Sequence, residues 1–255
     1  MKYYVVSDVH GYLTELKTAL KEQGFFDDTD PHKLIVCGDM LDRGHEAKEM
    51  QEFMYELLKK DELIFIRGNH EDLLVDMIEN FDRHQRTIGY GYSHHVSNGT
   101  FDTALQLSNM ERYDVFQKKE EFLLKVRDSI FYKYLLPASI DYFETDKYIF
   151  VHGWIPCKNG IEYNQDWRNA TKGLWESARW LNGMKCAELY DIVEKDKTIV
   201  CGHFHTSYGH CEISGKCSSE WEDDADFSPF YGKNIIAIDA CTAYTDMVNC
   251  IVIED

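Results

Sequence analysis

Gly38-Asp39-Met40-Leu41-Asp42-Arg43-Gly44 follows the apolar run Leu34-Ile35-Val36-Cys37. The run reads as a buried strand. The two glycines bracket a turn, so two carboxylates and an arginine stand on a tight loop at a strand's end, where α/β folds put chemistry. One carboxylate can bridge two cations, the other can orient a histidine, and the guanidinium can hold a phosphate oxygen. That reading requires further ligands from elsewhere in the chain.

Working outward, the same pattern recurs. Tyr3-Tyr4-Val5-Val6-Ser7 precedes Asp8 and His10, an Asp-x-His pair able to reach one divalent cation. Taken alone, Asp8 reads equally as a helix cap. Leu63-Ile64-Phe65-Ile66 ends in Arg67-Gly68-Asn69-His70-Glu71, where Asn69 offers a neutral carbonyl ligand and His70 a general acid if a carboxylate holds its ring. Tyr148-Ile149-Phe150-Val151 ends in His152-Gly153-Trp154, and Thr198-Ile199-Val200-Cys201 in Gly202-His203-Phe204-His205-Thr206. Each histidine by itself reads as a satisfied structural residue. Their repetition after successive apolar strands is what points to a metal centre.

The chain has 255 residues, 44% of them hydrophobic, enough for one large core and one domain. The formal net charge of -18 repels polyanions and argues against duplex nucleic acid as a partner. No apolar run reaches 18 residues, and Met1-Lys2-Tyr3-Tyr4-Val5-Val6 enters a strand directly, so neither a signal peptide nor a membrane span is expected and the localisation expected is cytoplasmic. The eight cysteines contain no Cys-x-x-Cys pair. Cys37, Cys201 and Cys250 lie in apolar runs and read as buried thiols; Cys211 and Cys217 flank a short loop, but a disulfide between them is disfavoured in a cytosolic chain.

Between these loops, residues 12–23 and 46–60 have the spacing of amphipathic helices. Residues 71–145 lack the strand–loop pattern and read as a largely helical insertion over the site mouth, with helices over 72–81, 100–108 and 115–136 and a break at 89–99. His84, His94 and His95 fall there without ligand spacing and are expected to be surface or loop residues. Trp175 and Arg179 share a helical face; Arg179 reads either as a bidentate phosphate clamp or as a salt-bridge partner for one of the many acids, and Trp175 and Trp180 as packing. Residues 210–228 read as a solvated acidic excursion. Asn234–Asp239 and Met247–Ile253 are expected to be paired strands of a second sheet, separated by a turn over Thr242–Asp246.

The motifs Asp-x-His, Gly-Asp-x-x-Asp-Arg-Gly, Gly-Asn-His-Glu, Val-His-Gly and Gly-His-x-His, in this order, resemble the signature of the calcineurin-like metallophosphoesterases. Residues 1–80, 146–155 and 196–255 carry the resemblance. Gly-Asp-x-x-Asp-Arg-Gly with Gly-Asn-His-Glu is similar to the phosphoprotein phosphatase branch, above all the small bacterial and phage-type Ser/Thr phosphatases, and to the symmetrical diadenosine tetraphosphatases. The resemblance implies an α/β sandwich of two mixed sheets flanked by helices. It implies two divalent or trivalent metal ions, Mn first with Fe and Zn as alternatives. Asp8, His10 and Asp39 would hold one ion; Asp39, Asn69, His152 and His203 the other; His205 would be a further ligand or a neighbour. A metal-bridging hydroxide would attack phosphorus in line, Arg43 and Arg179 would bind phosphate, and His70, oriented by Asp42, would protonate the leaving group. The expected function is a Ser/Thr protein phosphatase acting on a phosphorylated protein or a small phosphoester. The alternatives are a symmetrical dinucleoside polyphosphate hydrolase or phosphodiesterase, and a catalytically silent metal-binding scaffold.

Overall fold

The computed structural model describes residues 1–255. Its strands are β1 (Lys2–Val6), β2 (His32–Cys37), β3 (Leu63–Ile66), β4 (Phe143–Glu144), β5 (Tyr148–Phe150), β6 (Thr198–Cys201), β7 (Phe230–Gly232), β8 (Ile235–Ala237) and β9 (Ile251–Glu254). They form two sheets, one ordered β3-β2-β1-β9 and the other β4-β5-β6-β8-β7. The centre of each is parallel, β1–β2–β3 in one and β5–β6–β8 in the other, and the outer strands β9, β4 and β7 pair antiparallel.

Strand alternation explains how the sheets stack. Successive side chains of a strand point to opposite faces. Tyr3, Val5, Ile35 and Cys37 meet Phe150, Val200 and Ile238 in a core between the sheets. Tyr4, Val6, Leu34 and Val36 point the other way, into the helices that cover the first sheet. Ile149, Val151, Ile199 and Cys201 do the same on the second sheet, packing on Trp154, Trp167 and Met184. Strands covered on both faces must be apolar throughout, which is why they read as continuous hydrophobic runs.

The helices on the first sheet are α1 (Leu13–Glu22), α2 (Ala47–Lys59), α3 (Asn69–Glu79), α4 (Phe81–Gly89), α5 (His94–Ser97), α6 (Thr100–Ser108), α7 (Arg112–Val115) and α8 (Lys119–Arg127). In α2 the buried residues Ala47, Met50, Met54 and Leu57 follow the three-to-four spacing of an amphipathic helix. The stretch 115–136 expected as one helix is broken: α7 ends at Val115, α8 runs over Lys119–Arg127, and a π-helical turn spans Phe131–Leu135. The break expected at 89–99 contains α5.

One pairing differs from expectation. β8 lies in the second sheet, but β9 pairs antiparallel with β1 in the first, Val5 facing Ile251 and Lys2 facing Glu254. Both runs are short and apolar, so their pattern carries no information on which sheet each joins; β1 offers a free edge and β9 closes it. The intervening Thr242–Thr245 is a short helix rather than a turn. No helix is long and apolar enough to cross a membrane.

Candidate metal centre

The loops following β1, β2, β3, β5 and β6 converge at the same end of the two sheets, and six of their residues adopt left-handed backbone. These are Asp8 (φ 51°), His10 (46°), Asp39 (53°), Asp42 (74°), Arg43 (63°) and His203 (66°). Asp and His tolerate this region better than most residues; for Arg43 it costs roughly 1 kcal/mol or more. Strained, sharply turning backbone immediately after buried strands is the local reason these side chains gather. Gly38 is also left-handed (φ 84°), and a Cβ there would overlap the His152 ring. A Cβ on Gly202 would overlap the Asp8 carboxylate. The two glycines thus let strands from different sheets bring their loops into contact.

Asp39 is the centre of the arrangement. His152 Nε2 lies 3.4 Å from its Oδ1, and His10 Nε2 and His70 Nε2 each lie 3.8 Å from its Oδ2. Two sets of donor atoms, Asp39–His152–His203 and Asp39–His10–His70, are each compact enough to surround one cation, and Asp39 is common to both. Asp8 Oδ1 lies 4.0 Å from His10 Nε2, while its Oδ2 accepts from Ser7 Oγ at 2.5 Å and from the His203 backbone N–H at 2.8 Å. Asn69 Oδ1 lies 2.7 Å from His152 Nε2. The far nitrogens of two rings are fixed by backbone carbonyls: His152 Nδ1 donates to Cys37 O at 2.8 Å and His10 Nδ1 to Leu41 O at 3.0 Å. Each Nε2 lone pair therefore faces the carboxylates, the tautomer a metal-binding histidine needs.

The electrostatics fit a cation. Burial pushes Asp8 and Asp39 up from the ordinary carboxylate range and pushes His10, His152 and His203 down. Two buried carboxylates facing three neutral imidazoles form an arrangement that a divalent cation between them stabilises. Mixed carboxylate, amide and imidazole donors suit first-row transition ions better than Ca²⁺.

His70 behaves differently. Its Nδ1 lies 2.8 Å from Asp42 Oδ2. Burial opposes its charge, but the Asp39 carboxylate and the Asp42 hydrogen bond outweigh burial and raise it to about 9. Arg43 spans the mouth, Nη1 at 3.0 Å from His10 Nε2 and Nη2 at 3.3 Å from His70 Nε2.

Several supporting residues carry no expectation from the sequence. Glu71 accepts from the N–H groups of Gly68 (2.7 Å), Asp39 (3.0 Å) and Met40 (3.0 Å), tying the β2 and β3 loops together. Its position three residues after the N-cap Gly68, whose N–H donates to it, is the glutamate half of a capping box and is readable as such. Thr100 Oγ1 donates to Asp42 Oδ2 at 2.7 Å and Thr103 Oγ1 accepts from the Asp42 N–H at 3.0 Å. These threonines come from α6 and carry no local signal. Asp239, buried two residues past β8, repeats the strand-then-acid pattern; burial and the neighbouring Asp8 raise it well above the usual range.

Other residues lie elsewhere than their sequence context suggests. His205 is outside both donor sets: its Nδ1 lies 2.8 Å from Ser207 Oγ and its Nε2 3.3 Å from Glu220 Oε2, because the excursion over 210–228 folds back and packs Trp221 on its ring. Arg179 is buried, with Nη1 2.5 Å from Asp72 Oδ2 and Nη2 on Asp141; the ion-pair reading describes its position, and a phosphate would compete with those carboxylates. Trp175 packs, stacked on Tyr142, but Trp180 is 53% exposed with its edge toward His203. His95 is not a surface residue: it is fully buried and, with His84, faces Asp76. All eight cysteines are free, and Cys250 is half-buried rather than buried.

The family model for calcineurin-like phosphoesterases matches residues 1–230. Serine/threonine-protein phosphatase 2 of Salmonella typhimurium is 26% identical over 207 residues, 80% of this chain and 80% of that protein. The symmetrical bis(5'-nucleosyl)-tetraphosphatase of Buchnera aphidicola is 33% identical over 75 residues, covering 29% of this chain and 26% of its own length. Among solved structures, the cold-active protein-tyrosine phosphatase of a psychrophilic Shewanella superimposes with a TM-score of 0.52 at 19% identity, over 100% of this chain and 75% of that one, a likeness of fold alone. With the shared-carboxylate histidine cluster at the strand ends and a family match over most of its length, the chain belongs to the calcineurin-like phosphoesterases, a family built around a dinuclear metal centre.

Proposed function

We propose that the protein hydrolyses phosphomonoesters at this centre, with phosphoserine and phosphothreonine side chains of proteins as its substrates. The observation that carries the reading is Asp39, whose two carboxylate oxygens face His152 Nε2 at 3.4 Å and His10 Nε2 at 3.8 Å, with Arg43 and the His70–Asp42 pair at the mouth. Asp8, His10 and Asp39 would hold one ion, and Asp39, Asn69, His152 and His203 the other, with Mn²⁺ the first candidate and Fe or Zn²⁺ the alternatives. The ion pair, when bound, supplies an activated water as nucleophile and neutralises charge on the phosphoryl oxygens.

The chain's own residues do the rest. Arg43 Nη1 rests on the His10 Nε2 lone pair. With His10 Nε2 engaged by a cation, the Arg43 guanidinium would be free to meet a phosphoryl oxygen and stabilise the charge of the transition state. His70 points Nε2 into the site, because Asp42 holds Nδ1, and the Asp39 and Asp42 carboxylates favour its protonated form. It donates that Nε2 proton to the leaving alkoxide of serine or threonine. Glu71 and the Thr100 and Thr103 hydroxyls hold the two loops in register while this happens.

Dinucleoside polyphosphate hydrolysis is the second reading. The exposed Trp180 beside His203 favours it, as an indole at the mouth can stack on a base. The test is side-by-side hydrolysis of a phosphoserine peptide and diadenosine tetraphosphate, after metal stripping and Mn²⁺ addition. We expect peptide turnover to dominate and to fall roughly 10²–10⁴-fold in His70→Asn. Preferential tetraphosphate cleavage would move the protein to the nucleotide-hydrolase branch, and no turnover of either would leave a metal-binding scaffold.

A further inference from the structure

A second group of metal-type donors stands away from the centre, in the helical layer. Asp76 on α3, His84 on α4 and His95 on α5 place one donor atom each within 4.8 Å of one another. His84 Nε2 lies 2.9 Å and His95 Nε2 3.4 Å from Asp76 Oδ2. Asp76 Oδ1 is occupied by Asn80 Nδ2 at 2.9 Å, so Oδ2 is the oxygen turned to the rings.

Hydrogen bonding leaves these rings unsatisfied. His95 is 0% exposed, and neither of its nitrogens has a hydrogen-bond partner; nor does the buried Nε2 of His84. Buried polar atoms are rarely left without a hydrogen-bond partner, so the two His95 nitrogens, with His84 Nε2 held only by an ion contact to Asp76, call for a ligand. In a tetrahedral site with Zn–N bonds of ~2.0–2.1 Å, neighbouring donors stand about 3.3 Å apart. The two observed separations bracket that edge. Two imidazoles and a carboxylate are the donor set of a three-ligand zinc site with one position left open. The exposed His94, its ring centroid 3.9 Å from that of His95, flanks the cluster.

We infer that Asp76, His84 and His95 bind a divalent transition-metal ion of the Zn²⁺ class, separate from the ions of the main centre. The ion would tie together α3, α4 and α5. α3 begins with Asn69 and His70; α5 runs through Gly99 into α6, whose Thr100 and Thr103 hold Asp42. The ion is thus placed to fix His70 relative to the carboxylate that orients it, a positioning role that rests on the proposed function, whereas the binding itself does not.

The test is Zn²⁺ content after chelator stripping and dialysis against Zn²⁺, with the thermal midpoint as a second readout. Wild type is expected to retain one equivalent more than His84→Gln or Asp76→Asn, both confirmed folded by circular dichroism. Zn²⁺ is expected to raise the midpoint by several degrees less in these variants than in wild type. In an Asp39→Asn background, which removes the carboxylate shared at the main centre, one equivalent should persist and be lost on adding His84→Gln. Equal Zn²⁺ content and equal midpoint shifts in wild type and the two variants overturn the inference, whatever the protein's activity. Asp76 is half-exposed, so its variant reads the site even where His84→Gln fails to fold.

Discussion

The loops at the strand ends and the helical layer beside them both gather histidines around a carboxylate, by different means. At the main centre each donor follows a buried strand by two to four residues; Asp8, His10, Asp39 and His203 stand on backbone bent into the left-handed region, and His10, His152 and Asp8 are tied to main-chain groups. In the helical layer Asp76, His84 and His95 stand on three separate helices, and the imidazole nitrogens facing Asp76 are unpartnered. Parallel strands stacked side by side deliver their ends to one line, so a donor placed there meets its partners whatever the sequence between. Helices have no such common end; their side chains meet only where packing turns the faces together.

The sharpest way to break the comparison is Asp39→Asn. If the main centre depends on its shared carboxylate, activity falls by roughly 10³-fold or more, while the protection of the helical layer, read by hydrogen exchange in α3–α6, stays the same. Loss of protection across α3–α6 would show that the two regions are one unit.

Thr100→Val tests the link between them at smaller cost. It removes the hydroxyl that donates to Asp42 and keeps the shape. Losing this buried, charge-assisted hydrogen bond should lower kcat about tenfold with KM unchanged and leave metal content intact. An unchanged kcat would show that Asp42 holds His70 without help from α6.

The smallest effect is a control distant from both regions. Glu144 is bonded to Arg168 (2.7 and 2.9 Å) and to Lys197. The Arg168 hydrogen bonds depress it to about 2, against some desolvation. Its stabilisation is therefore complete above about pH 4.5, the ordinary glutamate range, and is lost as pH falls through about 2. Because the pair is partly solvated, Glu144→Gln should cost less than about 1 kcal/mol at pH 7 and close to nothing at about pH 2, read by denaturant midpoints. A change in activity at pH 7 would mean that the β4 edge communicates with the site.

Much of the main centre is legible in the amino-acid sequence alone, and particular residues show why. Asp8, Asp39, Asn69, His152 and His203 each sit just past an apolar run, and a run buried on both faces is visible in sequence. Glu71 and Asp239 carry the same kind of signal and are readable in principle. His205 and Arg179 stand apart from the donors for a common reason. Their neighbours in space, Glu220 with Trp221 and Asp72 with Asp141, lie on segments whose return to them no spacing records.

The amino-acid order by itself determined seven of the nine strands (β4 and β7 carried no signal), the loops at the ends of β1, β2, β3, β5 and β6 and the donors those loops carry, because strand period and turn chemistry are local properties of a few consecutive residues. Only the tertiary structure decided that β9 closes the first sheet rather than the second, that Thr100 and Thr103 reach Asp42 from about 60 residues away, and that His84 and His95 face Asp76 in the interior. These are contacts between elements, set by which faces and edges remain free once the core has packed, and short-range pattern does not encode them.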